Sequence, residues 1–312
     1  MSSQANKQPI LKKITRGLTV GSVMTGSTFF HGPPVLALGF TKLFKQSRKV
    51  DETNIHITNS WLGVNNWLID NVLPHLKWDI TVDEDLDLSM QGRYLMTCNH
   101  QSWVDTTVNQ YFGLTRMPLT RFFTKWELIF IPFVGQAFKI LGFPMMKRHT
   151  KEEIAKNPEL KTRDMEEARK ACEQLLSQPF TLLNYLEGTR FTPEKHQQQN
   201  SPYQNLLKPK AGGLALALNI LGDQIDALVD MTIVYPEGAP GYGEFWLGEV
   251  GRIAVNLRKI DIPDWVLGGN YEDDEEYRAR FQAWVDQLWT EKDQLISQMK
   301  AKYSTTAEVH KV

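Results

Sequence analysis

Cysteine is almost missing from this 312-residue chain: Cys98 and Cys172 are the only two, far apart and outside any paired metal-ligand spacing. That excludes a disulfide-stapled scaffold and a cysteine-based zinc site, and no metal is expected. Both fit as buried apolar side chains in a reducing compartment. Charge of one sign is not in excess either, since 35 basic and 36 acidic residues leave a net charge of −1. A broad nucleic-acid interface, which needs a basic face against phosphates, is therefore not expected, although a local basic pocket stays open. No internal repeat is present. What remains is ordinary globular material, 42% hydrophobic and 23% charged, long enough for one large core or two modest ones.

Charge is locally absent near the N-terminus. Residues 17–41, "GLTVGSVMTGSTFFHGPPVLALGFT", hold no Asp, Glu, Lys or Arg, and are flanked by Lys12, Lys13 and Arg16 before and Lys42, Lys45, Arg48 and Lys49 after. A transmembrane helix needs roughly 20 apolar residues, so the length suffices. Yet His31 and Gly32-Pro33-Pro34 interrupt the run, its Gly, Ser and Thr dilute its hydrophobicity, and both flanks are basic. The first expectation is a broken helical hairpin within residues 1–50 that dips into one leaflet with both ends cytoplasmic. A single span and a cleaved signal peptide follow in that order.

Beyond this, Ile57, Trp61, Val64, Leu68 and Val72 recur at helical spacing, which predicts an amphipathic helix ending before Pro74. From about residue 78 to 262 short apolar runs alternate with helical patterns. "YLMTC", "FPMMK", "FTLLNYL" and "LVDMTIVY" read as strands, "DMEEARKACEQLL" and "GGLALALNIL" as helices. The alternation predicts an α/β fold with a mainly parallel central sheet flanked by helices. "TPEKHQQQNSPYQNLLKPK", residues 192–210, reads as a long loop of functional length. Tyr277, Phe281, Trp284 and Leu288 form one stripe of a C-terminal helix that should dock on the main domain, with a disordered tail from Ser304. The expected divisions are 1–50 (anchor), 51–89 (amphipathic helix and linker), 90–262 (the α/β domain) and 263–312 (C-terminal helix and tail).

The stretch "CNHQSWVD", residues 98–105, carries the chemistry that can be read locally. Five residues along a regular helix rotate a side chain by about 140°, so His100 and Asp105 can meet only if the chain bends between them. A strand end followed by a helix that starts at Ser102 supplies the bend, with Asp105 in a capping box. The pair is then either a base with its orienting carboxylate or a surface histidine beside a helix cap. Cys98 beside His100 opens a third reading, an acyl-enzyme nucleophile, against the simpler one of a core cysteine. Two further strand ends deliver a guanidinium: "GFPMMKR" with Arg148 and "YLEGTRF" with Arg190, and arginine binds phosphate through two parallel hydrogen bonds.

Together these stretches resemble the glycerolipid acyltransferase superfamily, which includes the 1-acyl-glycerol-3-phosphate acyltransferases. The family's N-H-x-x-x-x-D motif appears as "NHQSWVD" from Asn99 to Asp105, and its glycine-to-arginine motif as Gly142 to Arg148. The P-E-G-T-R motif appears as "LEGTR", with Glu187, Gly188, Thr189 and Arg190 matched and Leu186 in place of proline. The fourth, a hydrophobic strand, falls at "VDMTIVY", with Asp230 where proline is common. The likeness covers most of residues 90–240 and looks like a bacterial membrane-associated branch.

The resemblance implies transfer of a fatty acyl group from a thioester, on coenzyme A or acyl carrier protein as co-substrate, to the free hydroxyl of a lysophospholipid, first of all 1-acyl-glycerol-3-phosphate. It implies His100 as general base, Asp105 as its orienting partner, Arg148 and Arg190 on the acceptor phosphate, and Glu187, Gly188 and Thr189 shaping the acceptor pocket. It also implies a place on the cytoplasmic side of the bacterial inner membrane and no cofactor. Another lysolipid acceptor, or a non-catalytic lipid or acyl-carrier binding protein on the same fold, are the alternatives.

Overall fold

The structure, a computed structural model, describes residues 9–42, 44, 47–147, 151–157 and 159–309. Runs rich in Val, Ile, Leu and Met form the strands, because branched and apolar side chains pack well on a pleated surface buried on both faces. They are β1 (Lys77–Val82), β2 (Arg93–Cys98), β3 (Thr120–Phe122), β4 (Thr124–Lys125), β5 (Met145–Met146), β6 (Phe180–Tyr185), β7 (Ala227–Val234) and β8 (Arg252–Ile260). The helices are α1 (Ile10–Thr41), α2 (Arg48–Val72), α3 (Val104–Gly113), α4 (Val134–Ile140), α5 (Lys151–Lys156), α6 (Glu159–Leu175), α7 (Pro193–Gln198), α8 (Gly212–Leu221), α9 (Tyr242–Trp246) and α10 (Glu275–Val309).

Six strands form one sheet in the order β1-β8-β7-β2-β6-β3, while β4 and β5 pair separately. Every neighbouring pair in the large sheet is parallel except β7 with β8. The expected α/β class with a mainly parallel sheet is therefore what forms. Side chains alternate along each strand, which divides the core in two. Met96, Cys98, Val229 and Met231 face α1, α2 and α3, whereas Leu95, Leu182 and Leu228 face α6, α8 and α10. In register, Cys98 lies opposite both Tyr185 and Met231, so β2 and β6 end at one level while β7 runs on to Val234. The loops that follow β2 and β6, which carry "NHQSWVD" and "LEGTR", meet at that carboxyl edge, where open α/β sheets place their ligands.

Two expectations change. α1 runs unbroken through Gly32, Pro33 and Pro34, and the helical pair at the N-terminus is α1 against α2, not a hairpin broken within residues 1–50. Tertiary packing outweighs the missing proline N–H groups here. Gly39 lies so close to the Ile140 side chain that no Cβ would fit, and His31 is held by the Ser27 carbonyl at 2.9 Å and the Ser60 hydroxyl at 3.2 Å. Among the described residues no helix is long and apolar enough to cross a membrane. At the other end, α10 continues to Val309 rather than fraying at Ser304. The segment 192–210 carries the short α7 and then packs against α10.

Candidate active site

The bend required between His100 and Asp105 is present. β2 ends at Cys98, α3 begins at Val104, and the imidazole Nδ1 donates to Asp105 Oδ2 at 2.8 Å. Asp105 is fully buried, and a buried carboxylate must have its lone pairs filled. The same Oδ2 accepts the N–H groups of Gln101 at 2.7 Å and Ser102 at 2.9 Å, and Oδ1 accepts the Tyr235 hydroxyl at 2.6 Å. Asp105 therefore caps the turn and orients the histidine at once. The reciprocal half of the capping box is absent: the Ser102 hydroxyl accepts from Val104 N–H at 3.0 Å and donates to the Pro240 carbonyl.

Three surrounding contacts fix the ring further. Tyr185 stacks on His100 with centroids 4.1 Å apart and 20° between planes. The Asn99 amide bridges to the backbone of Ile233 in both directions, at 2.9 and 2.8 Å, which ties the end of β2 to β7. Glu187, also fully buried, accepts the His100 N–H at 2.7 Å and the Leu207 N–H at 2.9 Å. Burial pushes the Glu187 carboxyl up to about 7, against the downward pull of those two N–H groups. Both of its oxygens thus accept from the backbone of the surrounding loops.

Gly188 sits at φ +66°, a left-handed turn that lets the chain reverse after β6, with the Lys210 side chain 3.1 Å from where a Cβ would be. Thr189 Oγ1 accepts from Lys195 Nζ at 2.7 Å, and the same ammonium donates to the Arg190 carbonyl at 3.1 Å. The Arg190 guanidinium lies over the Trp103 ring at 4.6 Å, which holds it beside the loop that carries His100. Arg148 lies outside the described residues. Cys98 is fully buried, and burial pushes its thiol well above the ordinary cysteine range. Cys98 packs in the core with Met96, Val229 and Met231, as the simpler reading has it.

Sequence reasoning missed Tyr235, Tyr185 and Leu207. Tyr235 had a signal, since it follows β7 directly and so had to stand at the same sheet edge as His100. Burial, then the Asp105 charge, raises its hydroxyl well above the ordinary tyrosine range, so it stays a donor.

The carboxyl edge thus brings together a histidine bonded to a buried carboxylate and, on the neighbouring loop, an arginine over Trp103. The family model described as acyltransferase matches residues 79–238, which contain all of these groups. The chain belongs to the acyltransferase family. It is 30% identical over 145 residues to 2-acyl-1-lysophosphatidylinositol acyltransferase of Saccharomyces cerevisiae, covering 41% of this chain and 34% of that protein. It is 24% identical over 293 residues to lysocardiolipin acyltransferase 1 of Danio rerio, covering 88% of this chain and 68% of the relative. The match thus spans about a third of the yeast protein's length. The crystal structure of the 1-acyl-sn-glycerophosphate acyltransferase PlsC from Thermotoga maritima aligns with a TM-score of 0.49 at 16% identity, covering 92% of this chain and 98% of that one.

Proposed function

We propose that this acyltransferase moves a fatty acyl group from an acyl thioester, on coenzyme A or acyl carrier protein, to the free hydroxyl of a lysophospholipid, with 1-acyl-glycerol-3-phosphate as the first acceptor. The observation that carries this reading is the 2.8 Å contact between His100 and a fully buried, fourfold-bonded Asp105. Because Asp105 is an acceptor to every neighbour, His100 Nδ1 holds the proton and Nε2 is left as the basic nitrogen. Nε2 takes the proton of the acceptor hydroxyl as its oxygen attacks the thioester carbonyl. The C–S bond then breaks, and the departing thiolate recovers the proton from the imidazolium. Asp105 stabilises that imidazolium, as in the hydrolase triad but with the substrate oxygen as nucleophile.

Arg190, fixed by Trp103, takes the acceptor phosphate, with Arg148 as its proposed companion. An apolar cavity of about 340 Å³ runs beside α3, lined by Met24, Trp61, Leu62, Leu119, Phe122 and Phe138, and is the proposed seat of an acyl chain. The outer side of α1 leaves Ile10, Leu11, Ile14, Leu18, Phe29 and Phe30 exposed, which supports work at a membrane surface. Its basic flank is already engaged: Lys13 pairs with Glu249 at 2.7 Å and Arg16 donates to the Leu247 carbonyl at 2.6 Å.

The test is acyl transfer from labelled acyl-coenzyme A and from labelled acyl carrier protein to a panel of lysophospholipids in detergent micelles. Transfer to the phosphate-bearing monoacyl acceptors is expected. Thioester hydrolysis without transfer, or no turnover by folded protein on any acceptor, would sink the reading.

A further inference from the structure

α10 lies wholly beyond residues 79–238, the stretch matched to the family, yet it is bonded to the loops that build the site. Trp289, 1% exposed, donates its indole N–H to the Leu207 carbonyl at 3.0 Å. The Leu207 N–H donates to Glu187 at 2.9 Å, and the other Glu187 oxygen takes the His100 N–H at 2.7 Å. Leu207 is itself completely buried, so its backbone groups have no water to fall back on. Around this relay the loop is clamped to the same helix. Asp293 accepts the N–H groups of Gln204 and Asn205 at 2.9 and 2.7 Å, and the Asn205 amide donates to Ser297 at 2.8 Å.

A second line of contact reaches the sheet. Lys292, fully buried, pairs with Asp230 at 2.8 Å and donates to the Met231 carbonyl at 2.7 Å. Asp230 also accepts the hydroxyl of Thr97, three residues before His100, at 2.7 Å. The two positions at which the sequence departs from the family pattern lie on the side of the sheet that meets this helix or beside residues that do. Leu186 shares a core cluster with Phe281, Val285, Trp289 and Ile296, and Asp230 holds Lys292.

We propose that α10 is part of the catalytic apparatus: Trp289, acting through Leu207 and Glu187, is a positioning residue that holds the His100 backbone where its ring meets Asp105 and the acceptor hydroxyl. This rests on His100 as the base. The physical reason is tolerance. A base must be held to within about 0.5 Å of its productive position, and a carboxylate suspended between two N–H groups keeps its place only while both donors are fixed. Were α10 only a lid on apolar surface, the indole N–H would be immaterial, because a phenyl ring covers the same face.

The experiment is a double-mutant cycle in the acyl-transfer assay with Trp289→Phe, Glu187→Gln and the double variant. Trp289→Phe is expected to lower kcat by about five- to tenfold with KM changed by no more than about twofold. In the Glu187→Gln background the same substitution should change kcat by less than about twofold, since its route is already cut. Equal fractional losses in both backgrounds, or full kcat in Trp289→Phe, would overturn the proposal. Amide hydrogen exchange gives a reading independent of substrate: the His100 and Leu207 amides should exchange about tenfold faster in Trp289→Phe, with β1 amides unchanged. Unchanged exchange at His100 overturns it equally. A wild type without turnover refutes the reading of the base and leaves the exchange result to judge the relay.

Discussion

α1 and α10 are the two longest helices, of 32 and 35 residues, and they are used in opposite ways. α1 buries one stripe, Arg16, Val20, Ser27, His31, Gly32, Val35 and Gly39, and leaves Phe29 63% and Phe30 75% exposed. α10 buries Phe281, Val285, Trp289 and Ile296 completely and also buries the charge of Lys292. The difference lies in where the bonds of each inner face go. On α1, Gly39 allows close approach while Arg16 and His31 bond the Leu247 carbonyl and Ser60, whereas the polar groups of α10 bond the loop at 204–207 and the β7 strand next to His100. Length alone would have ranked the two alike; α1 carries a charge-free run from residue 17 to 41, whereas α10 mixes charged residues with its apolar stripe.

The largest effect that can sharpen this contrast is electrostatic. Lys292→Met keeps the apolar stem but leaves Asp230 with only Arg258, at 3.0 Å, as its cationic partner. Breaking a buried pair should cost about 3 kcal/mol of unfolding free energy, read from urea denaturation. A loss within about 0.5 kcal/mol, the range of surface substitutions, would place α10 beside α1 as a mere cover. Lys292 and Arg258 hold the Asp230 carboxyl below the usual carboxylate range although burial opposes it.

A second effect concerns the centre of the relay and depends on pH. Folded, Glu187 keeps its proton to about 7, whereas an unfolded glutamate loses it near the ordinary value of about 4.3. Between those values the folded state binds more protons, so stability falls as pH rises through the window and levels off above it. The wild type should lose about 3 kcal/mol relative to Glu187→Gln between pH 4.5 and 7.5. Parallel stability curves for the two proteins would show that Glu187 does not titrate there.

The smallest effect belongs to α1. Replacing Phe29 and Phe30 together by serine should leave the unfolding free energy within about 0.5 kcal/mol. Partition onto anionic liposomes should fall by about tenfold or more, since each aromatic contributes about 1.5 kcal/mol when buried in lipid. Undiminished partition would move the membrane contact elsewhere on the molecule.

Much of the α/β core was legible in the sequence, because β2, β6 and β7 are short apolar runs and α2, α6 and α8 keep a clear helical period. β1 and β8 were not, since "KWDITV" and "RIAVNLRKI" mix charge with apolar residues and take their places only through pairing with each other and with β7. The continuity of α1 through two prolines was hidden for the same kind of reason: local propensity argues for a break, and contacts with α2 and α4 override it. In the site, the spacing of His100 and Asp105 announced a bend and the bend exists. Tyr235, Leu207, Trp289 and Lys292 could not be found that way, because they lie 107 to 192 positions from His100 and meet it only through the folded sheet. Asp230, where the family commonly has proline, acquires its meaning from a lysine that sequence alone does not place beside it.

The measurement that tests the account most directly is kcat for His100→Ala beside the wild type, with folding checked by circular dichroism and thermal unfolding. General-base catalysis contributes roughly 10² to 10⁴ in rate, and the account predicts a loss of at least about 10² with an unchanged unfolding transition. A variant that keeps its fold and turns over within a few-fold of the wild type would contradict it.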